Sequence, residues 1–350
     1  MGERAMNITM REVARLTNTS VATVSRVLNN KPGVSPERRA RILEFVAEIG
    51  YHPNVSAQNL ALRKSGFLGY IVTELGNPAC VELFRHLHAL GQEHGYHVLI
   101  LDSRMNLDQE RANLNLLAQQ RAEGAIVSPI AGQLPVTDFK HFMEAKRRGL
   151  PCVLMGNFEG LALDTVGANE APAAQALCAE LIRLGHRRFG FAGVQAGNKQ
   201  GEQRLAGCRR ALDDAGLLPQ DAAPRRPVFR QAAYHAPRWL DSVCEWFSEP
   251  EPPTALVAVN DILALRLYRP LRQRGLRIPE DLSIVAFGDS VFTAHLEPPL
   301  TVAVSDFGER ARLAHAALAA RIETPNAPPI VQHAPVNIIY RESHGPPPDA

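Results

Sequence analysis

The chain has 350 residues, 45% of them hydrophobic and 21% charged, a globular mixture that excludes wholesale disorder and fits about two or three folding units at roughly 150 residues each. Its longest apolar runs, residues 66–72 and 254–259, fall far short of the roughly 20 residues a bilayer span requires, and no apolar stretch backs the first charges as a secretory signal would. The net charge of +2 hides an uneven spread: residues 1–65 hold ten Lys/Arg against five acids, and the remainder holds 28 against 31. A small basic head on a near-neutral body predicts a nucleic-acid-binding module joined to something else, although a merely solvated basic helical surface has the same charge.

From the N-terminus, Thr9-Met10-Arg11-Glu12 has the pattern of a capping box, with the Thr hydroxyl accepting from the third helical N–H and the Glu reaching back. Ile8, Val13 and Leu16 give this first helix an apolar stripe, and Thr17-Asn18-Thr19 should stop it, with Asn18 in a left-handed turn that Asn tolerates. Ser20 caps a second helix over residues 21–28, which ends at Asn29-Asn30-Lys31-Pro32-Gly33. Ser35 at the N-cap and Pro36 behind it open a third, running to Gly50, with Ile42, Phe45, Val46 and Ile49 as a small core. Two short helices joined by a tight turn and braced by a third predict an all-α helix-turn-helix over residues 1–50, the second helix entering a major groove. With Val24, Val27 and Leu28 inward, Val21, Ala22, Ser25 and Arg26 face out. Small side chains let the helix seat deeply, apolar ones can meet thymine methyls, and Arg26 can pair bidentately with guanine. Thr23 and Ser25 suit phosphate oxygens. Taken alone, the same residues also fit a three-helix packing module that touches no DNA.

The run Val13-Ala14-Arg15-Leu16, Ser20 through Asn29, Val34-Ser35-Pro36 and Gly50-Tyr51-His52-Pro53-Asn54 resembles the lactose-repressor (LacI) family of bacterial transcription regulators at nearly every headpiece position. It departs at Asn18-Thr19, where the family usually carries Gly-Val. The resemblance implies a near-palindromic double-stranded operator contacted by Ser20, Val21, Ala22, Thr23, Ser25, Arg26, Asn29, Ser35, Tyr51, Asn54, Ala57 and Leu60. It also implies a homodimer, each headpiece reading one half-site. Residues 51–65 then correspond to a hinge: a helix of two turns, marginal alone in water, that orders on DNA and wedges Leu60 into the minor groove. Gln58 stands where many members carry Arg. The other reading of this stretch is a flexible linker whose Leu60 covers the body.

From Gly66 onward, apolar runs at residues 68–72, 97–101, 125–127, 152–155, 189–192, 255–259 and 283–287 predict strands. They alternate with helical patterns near residues 79–93, 107–120, 138–148, 170–184, 202–215, 237–247, 262–273 and 307–322. Near-continuous apolar strands alternating with helices mean parallel sheets covered on both faces, and two such sheets fit the remaining length. The order resembles the two-lobed, periplasmic-binding-protein-like α/β body of the same family, two doubly wound parallel sheets. Its landmarks are Leu184-Gly185-His186-Arg187-Arg188, Arg204-Leu205-Ala206-Gly207, Asn260-Asp261, residues 278–283 and Tyr340-Arg341-Glu342-Ser343, so that with the headpiece the likeness spans residues 8–343. The lobes are expected at residues 66–163 plus 292–323 and at 164–291 plus 324–343, with a disordered tail over 344–350. That tail has no leucine heptad, so a tetramer through a C-terminal coiled coil is not expected.

Ligands of such folds bind outside the carboxyl ends of strands, here between lobes. Asp261, an acceptor-only carboxylate, and Arg204, a planar donor fork, are the leading effector candidates and match family contact positions. Asn77, Asp102, Ser128, Asn157, Phe229, Asn260 and Asp289 complete the set; Phe229 could stack on a ring or lie in the core. Ala79-Cys80 follows Asn77-Pro78 where an aromatic pair is common, Gly156-Asn157 replaces a frequent Asp-Arg, and Gly288 replaces an acid. The pocket is therefore expected to be less acidic than in many relatives, and no relative's sugar is carried over.

Neither a nucleophile elbow, a phosphate-binding loop, a dinucleotide fingerprint nor H-E-x-x-H occurs. His86 and His88, two apart on a helix, point to different faces. Cys152 reads as a small apolar strand residue, and Lys146-Arg147-Arg148 complements a helix C-terminus. The five scattered cysteines fit a reducing compartment. These residues point to a cytoplasmic, nucleoid-associated regulator, most simply a repressor, with a small sugar-like effector, no cofactor, no metal and no membrane partner. The alternatives are a sugar-binding protein without a DNA role and a sugar-metabolising α/β enzyme.

Overall fold

The computed structural model describes residues 9–28, 31–50, 65–130, 139–158, 160–193, 197–218, 238–348 and, as backbone, 229–232. Asn29, Tyr51, Asn54, Ala57 and Leu60, with the hinge up to residue 64, lie outside the described residues. The chain divides into two units, residues 1–65 and 66–350.

In the first unit, α1 (Met10–Leu16), α2 (Val21–Leu28) and α3 (Pro36–Glu48) close over Val13, Ala14, Val24, Val27 and Ile42. The capping box forms as written: Glu12 N–H donates to Thr9 Oγ1 at 3.3 Å, and Thr9 N–H to Glu12 Oε2 at 2.7 Å. Asn18 takes φ 52°, the left-handed turn. Thr19 N–H then returns to Ala14 O at 2.9 Å, so the turn stays tight without glycine. Two arginines of α3 brace the motif, Arg41 donating to Thr17 O at 2.9 Å and Arg39 to Val27 O at 3.3 Å. Leu16, expected in the apolar stripe, is 51% exposed; Thr17, bonded to Val13 O at 2.7 Å, fills that inner position.

The second unit carries two six-stranded sheets. The first joins β1 (Phe67–Val72), β2 (His97–Asp102), β3 (Gly124–Val127), β4 (Cys152–Met155), β5 (Asp164–Ala168) and β11 (Val331–Ala334) in the order β11-β5-β4-β3-β1-β2, all parallel. Successive residues alternate faces. Leu68, Tyr70, Ile126, Val153 and Met155 pack with α4 (Pro78–Glu93) and α11 (Phe307–Glu323). Ile71, Ala125, Val127 and Leu154 pack with α5 (Leu107–Gln119) and α6 (Lys140–Arg147). The second sheet joins β6 (Phe189–Ala192), β7 (Phe229–Ala232), β8 (Ala255–Ala258), β9 (Ser283–Phe287), β10 (Thr301–Ser305) and β12 (Val336–Ile339) in the order β12-β10-β9-β8-β6-β7, parallel except for β10 against β12. Its helices are α7 (Glu170–Arg183), α8 (Lys199–Asp214), α9 (Trp239–Glu245) and α10 (Asp261–Gln273).

The lobe boundaries differ from the expected ones. Residues 164–168 and 331–334 belong to the first sheet, and 301–305 to the second. The chain thus crosses after Ala168, after Ser305 and at Pro335. Asp164-Thr165-Val166-Gly167-Ala168 and Val331-Gln332-His333-Ala334 are too short and too polar to declare a strand in isolation; only pairing with β4 and with each other places them. A buried ion pair fixes the same edge: Arg321 of α11 holds Asp164 bidentately at 2.6 and 2.7 Å. The tail also departs from expectation. His186, fully buried, donates from Nε2 to Gly345 O at 2.8 Å, and Gly345 N–H donates to Ser283 Oγ at 3.0 Å, tying residues 343–345 to the second lobe.

Candidate functional site

On the headpiece, Ser20 caps α2: Thr23 N–H donates to its hydroxyl at 3.1 Å, and the Ser20 and Thr23 hydroxyls meet at 2.9 Å. The apolar half of the helix turns inward at Val24 and Val27, leaving Val21 (42% exposed), Ala22 and Arg26 outside and Thr23 and Ser25 half-buried. Leu28, expected inward, is half-buried. Ser35 is exposed and accepts from Arg38 N–H at 3.4 Å as the N-cap of α3. The outward set is one methyl-bearing surface with a guanidinium at its edge, which suits base edges in a major groove.

In the body, a cavity of about 170 Å³ opens between the sheets at the carboxyl ends of their strands. Thr73 and Ser128 lie past β1 and β3, and Asn260 past β8, at the points where strand order reverses. Of the expected residues, Asn77, Ser128, Asn157, Arg204, Asn260 and Asp261 line it. Asn77 and Asn260 are also N-caps, accepting from Ala79 N–H at 3.0 Å and Leu263 N–H at 2.8 Å.

Arg204 does not stand free. It holds Glu170 bidentately at 2.9 and 3.1 Å, donates to Val259 O at 2.6 Å and stacks over Phe287 at 4.6 Å. Glu170, 3% exposed, also accepts from Gln200 at 2.7 Å. Burial pushes its carboxyl up, but the Arg204 charge, these hydrogen bonds and the Arg310 charge outweigh burial and hold it below the usual range. Asp261 accepts from Ile262 N–H at 2.9 Å and Ser290 N–H at 2.8 Å. Gly288 allows this: at φ 92° its Cβ would stand 3.1 Å from the Asp261 carboxylate. Asn157 spans the two lobes, donating to Ala168 O at 2.8 Å and to Gln203 Oε1 of α8 at 2.7 Å.

Two expected effector residues lie elsewhere. Asp289 is consumed by Arg341, which grips both carboxylate oxygens at 2.8 Å, and by the Thr293 hydroxyl. Asp102, absent from the cavity wall, accepts from Arg104 N–H at 2.8 Å and closes a local turn. The Phe229 side chain lies outside the described residues, although its backbone pairs with Phe189 in the second sheet. The sequence reading missed Tyr70, Glu170, Gln200, Gln203, Ser305 and Arg310, which line the same space. Glu170 and Ser305 sit just past or at the end of β5 and β10, so recognising those strands would have flagged both. Among the described residues no group of three or more His, Cys, Asp or Glu is placed to hold a metal ion, and no helix is long and apolar enough to cross a membrane.

Residues 9–54 match the family of bacterial regulatory proteins, lacI family, and residues 178–344 match the periplasmic binding protein-like domain. The chain is 31% identical over 296 residues to the HTH-type transcriptional repressor CytR of Escherichia coli (strain K12), covering 84% of this chain and 83% of that protein. The chain belongs to the lacI family. As a lacI-family member it is a DNA-binding transcriptional regulator, and it is also 28% identical over 340 residues to catabolite control protein A of Priestia megaterium (97% of this chain, 99% of that one). The lacI-family architecture holds throughout: a crystal structure of the Lac repressor dimer bound to operator and the anti-inducer ONPF aligns with TM-score 0.81 at 22% identity, covering 96% of this chain and 98% of that one.

Proposed function

We propose that this regulator is a homodimeric repressor of a near-palindromic operator, acting in the cytoplasm on the nucleoid, and that a small sugar-like effector bound between the lobes of the body sets its operator affinity. The observation that carries the effector half is the cavity itself. It lies at the strand-order reversals of both sheets, and its wall includes buried polar atoms with no hydrogen-bond partner among the described residues: Asn157 Oδ1, Ser305 Oγ and Arg310 Nε. Unpaired buried polar atoms cost free energy that a polyhydroxylated ligand returns. The Asn157–Gln203 bond joins the two lobes at the cavity wall, and an effector must favour one closure state to matter. A coupling of about 1–3 kcal/mol changes operator affinity about 5–150-fold. Binding in place of catalysis accords with Glu170, Asp261 and Arg204 all being engaged in holding the protein's own groups.

On the headpiece, Val21, Ala22 and Arg26 read base edges, and Ser20, Thr23, Ser25 and Ser35 lie near the phosphates. Asn29, Tyr51, Asn54 and Ala57 complete the DNA-contacting set, and Leu60 wedges into the minor groove. The deciding experiment is selection of the full chain against a randomised palindromic pool, followed by titration of the winning site with metabolites. A salt-sensitive preference for one palindrome, altered by at least one polar metabolite, is expected. Sequence-independent binding would sink the DNA half, and operator binding indifferent to every metabolite would sink the effector half.

A further inference from the structure

The sign of the cavity is set by Glu170, Lys199, Arg204, Asp261 and Arg310, the charged side chains on its described wall. Four of them have hydrogen-bonded partners within the protein. Glu170 and Arg204 neutralise each other, Lys199 turns to Glu202 at 3.2 Å, and Asp261, which keeps its negative charge, accepts from two backbone N–H groups that tie both its oxygens to the chain. Arg310 differs: its Nε is buried with no hydrogen-bond partner, it forms no ion pair among the described residues, and it feels Glu170 only through space, a carboxylate that Arg204 already holds. On the same cavity wall is Ser305, 8% exposed, whose hydroxyl is likewise buried with no hydrogen-bond partner among the described residues. The helices α4, α7, α8, α10 and α11 all begin at this cavity, so their N-terminal partial positive charges add to the same sign.

We propose that the effector is anionic: a sugar-like molecule bearing a carboxylate or a phosphate, whose charged oxygens engage the Arg310 guanidinium and the Ser305 hydroxyl. This rests on the reading of the cavity as the effector site and narrows its ligand. A neutral sugar would seal inside the closed cleft a guanidinium that has no carboxylate bonded to it, a costly state, whereas a carboxylate or phosphate supplies a directly bonded counter-charge and accepts from planar N–H donors. Glu170 does not oppose this, because its carboxylate is already held by Arg204 and Gln200.

The test is calorimetric and thermal titration of the full chain with three matched arms. The neutral arm is glucose, galactose and ribose; the carboxylate arm is glucuronate, galacturonate and gluconate; the phosphate arm is glucose 6-phosphate and ribose 5-phosphate. At least one acid should bind where its neutral counterpart at equal concentration does not, and the arm that responds identifies the anion. Arg310→Gln should weaken that binding about tenfold or more, and Ser305→Ala several-fold, the usual scale for a charge-assisted bond. Melting of the unliganded variants controls for folding, and the wild-type comparison between arms holds even if a variant folds poorly. Silence of both acid arms, or acid binding unaffected by either variant, overturns the proposal. Tight neutral-sugar binding that shifts operator affinity overturns it while leaving the effector cavity standing, and silence of all three arms brings down both.

Discussion

Replacing Arg204 by Met removes a guanidinium 11% exposed from a carboxylate 3% exposed, at nearly constant volume. Glu170 keeps the Gln200 hydrogen bond and, through space, the Arg310 charge, and Val259 O loses a donor at 2.6 Å. Breaking one side of a buried pair leaves an uncompensated charge and costs about 3–5 kcal/mol. In a unit of this size that lowers the melting temperature by roughly 5–15 °C. The pH dependence then reverses. In the native protein the Glu170 carboxyl lies below its ordinary range, so its contribution is present above that range and is lost as pH falls. Without Arg204, burial is opposed only by the Gln200 hydrogen bond and the Arg310 charge and the carboxyl rises, so the variant should be less impaired near pH 4–5 than above about pH 7. Adding Glu170→Gln should recover most of the loss, because a neutral amide needs no counter-charge. Thermal unfolding of the single and double variants from pH 4.5 to 8 tests this. A single variant that melts with the wild type, or a loss that is flat with pH, refutes the assignment of Glu170–Arg204 as a stabilising buried pair.

Arg26→Ala should weaken specific operator binding by about 1–3 kcal/mol and relax discrimination at one base pair in a mobility-shift panel of single-base variants, whereas an equal loss on every sequence would reassign Arg26 to phosphate. Gly207→Ala should lower body stability by about 1–3 kcal/mol in denaturant unfolding, since its Cβ would fall 2.1 Å from Ala171 O where α7 and α8 cross; an unchanged midpoint would show that the helices can separate freely. Burial depresses the His186 imidazole, which donates to Gly345 O and accepts from the Thr254 hydroxyl at 2.9 Å. The unfolded chain therefore takes up the proton first, and stability should fall as pH drops below about 6.5, the ordinary histidine value. His186→Gln should flatten that fall, and an identical slope in both proteins would assign it to other groups.

The headpiece was legible residue by residue because its signals are local. A capping box, a left-handed Asn and Ser-Pro at a helix start each act within four residues, and Asn18 at φ 52° shows the turn formed without glycine. The alternation of strand and helix in the body was equally plain, since apolar strands covered on both faces announce a parallel sheet. Tertiary structure decided which sheet each short strand joins, and with it the cavity. Asp164–Ala168 and Thr301–Ser305 carry little periodicity, and their places depend on partners far along the chain. Asp261 and Asp289 look alike in sequence, yet Arg341, 52 residues away from Asp289, removes one of them from the site. Arg310 gave no sequence signal at all. A helical arginine is ordinarily solvated, and only the approach of two sheets strips water from this one and leaves its Nε without a hydrogen-bond partner among the described residues.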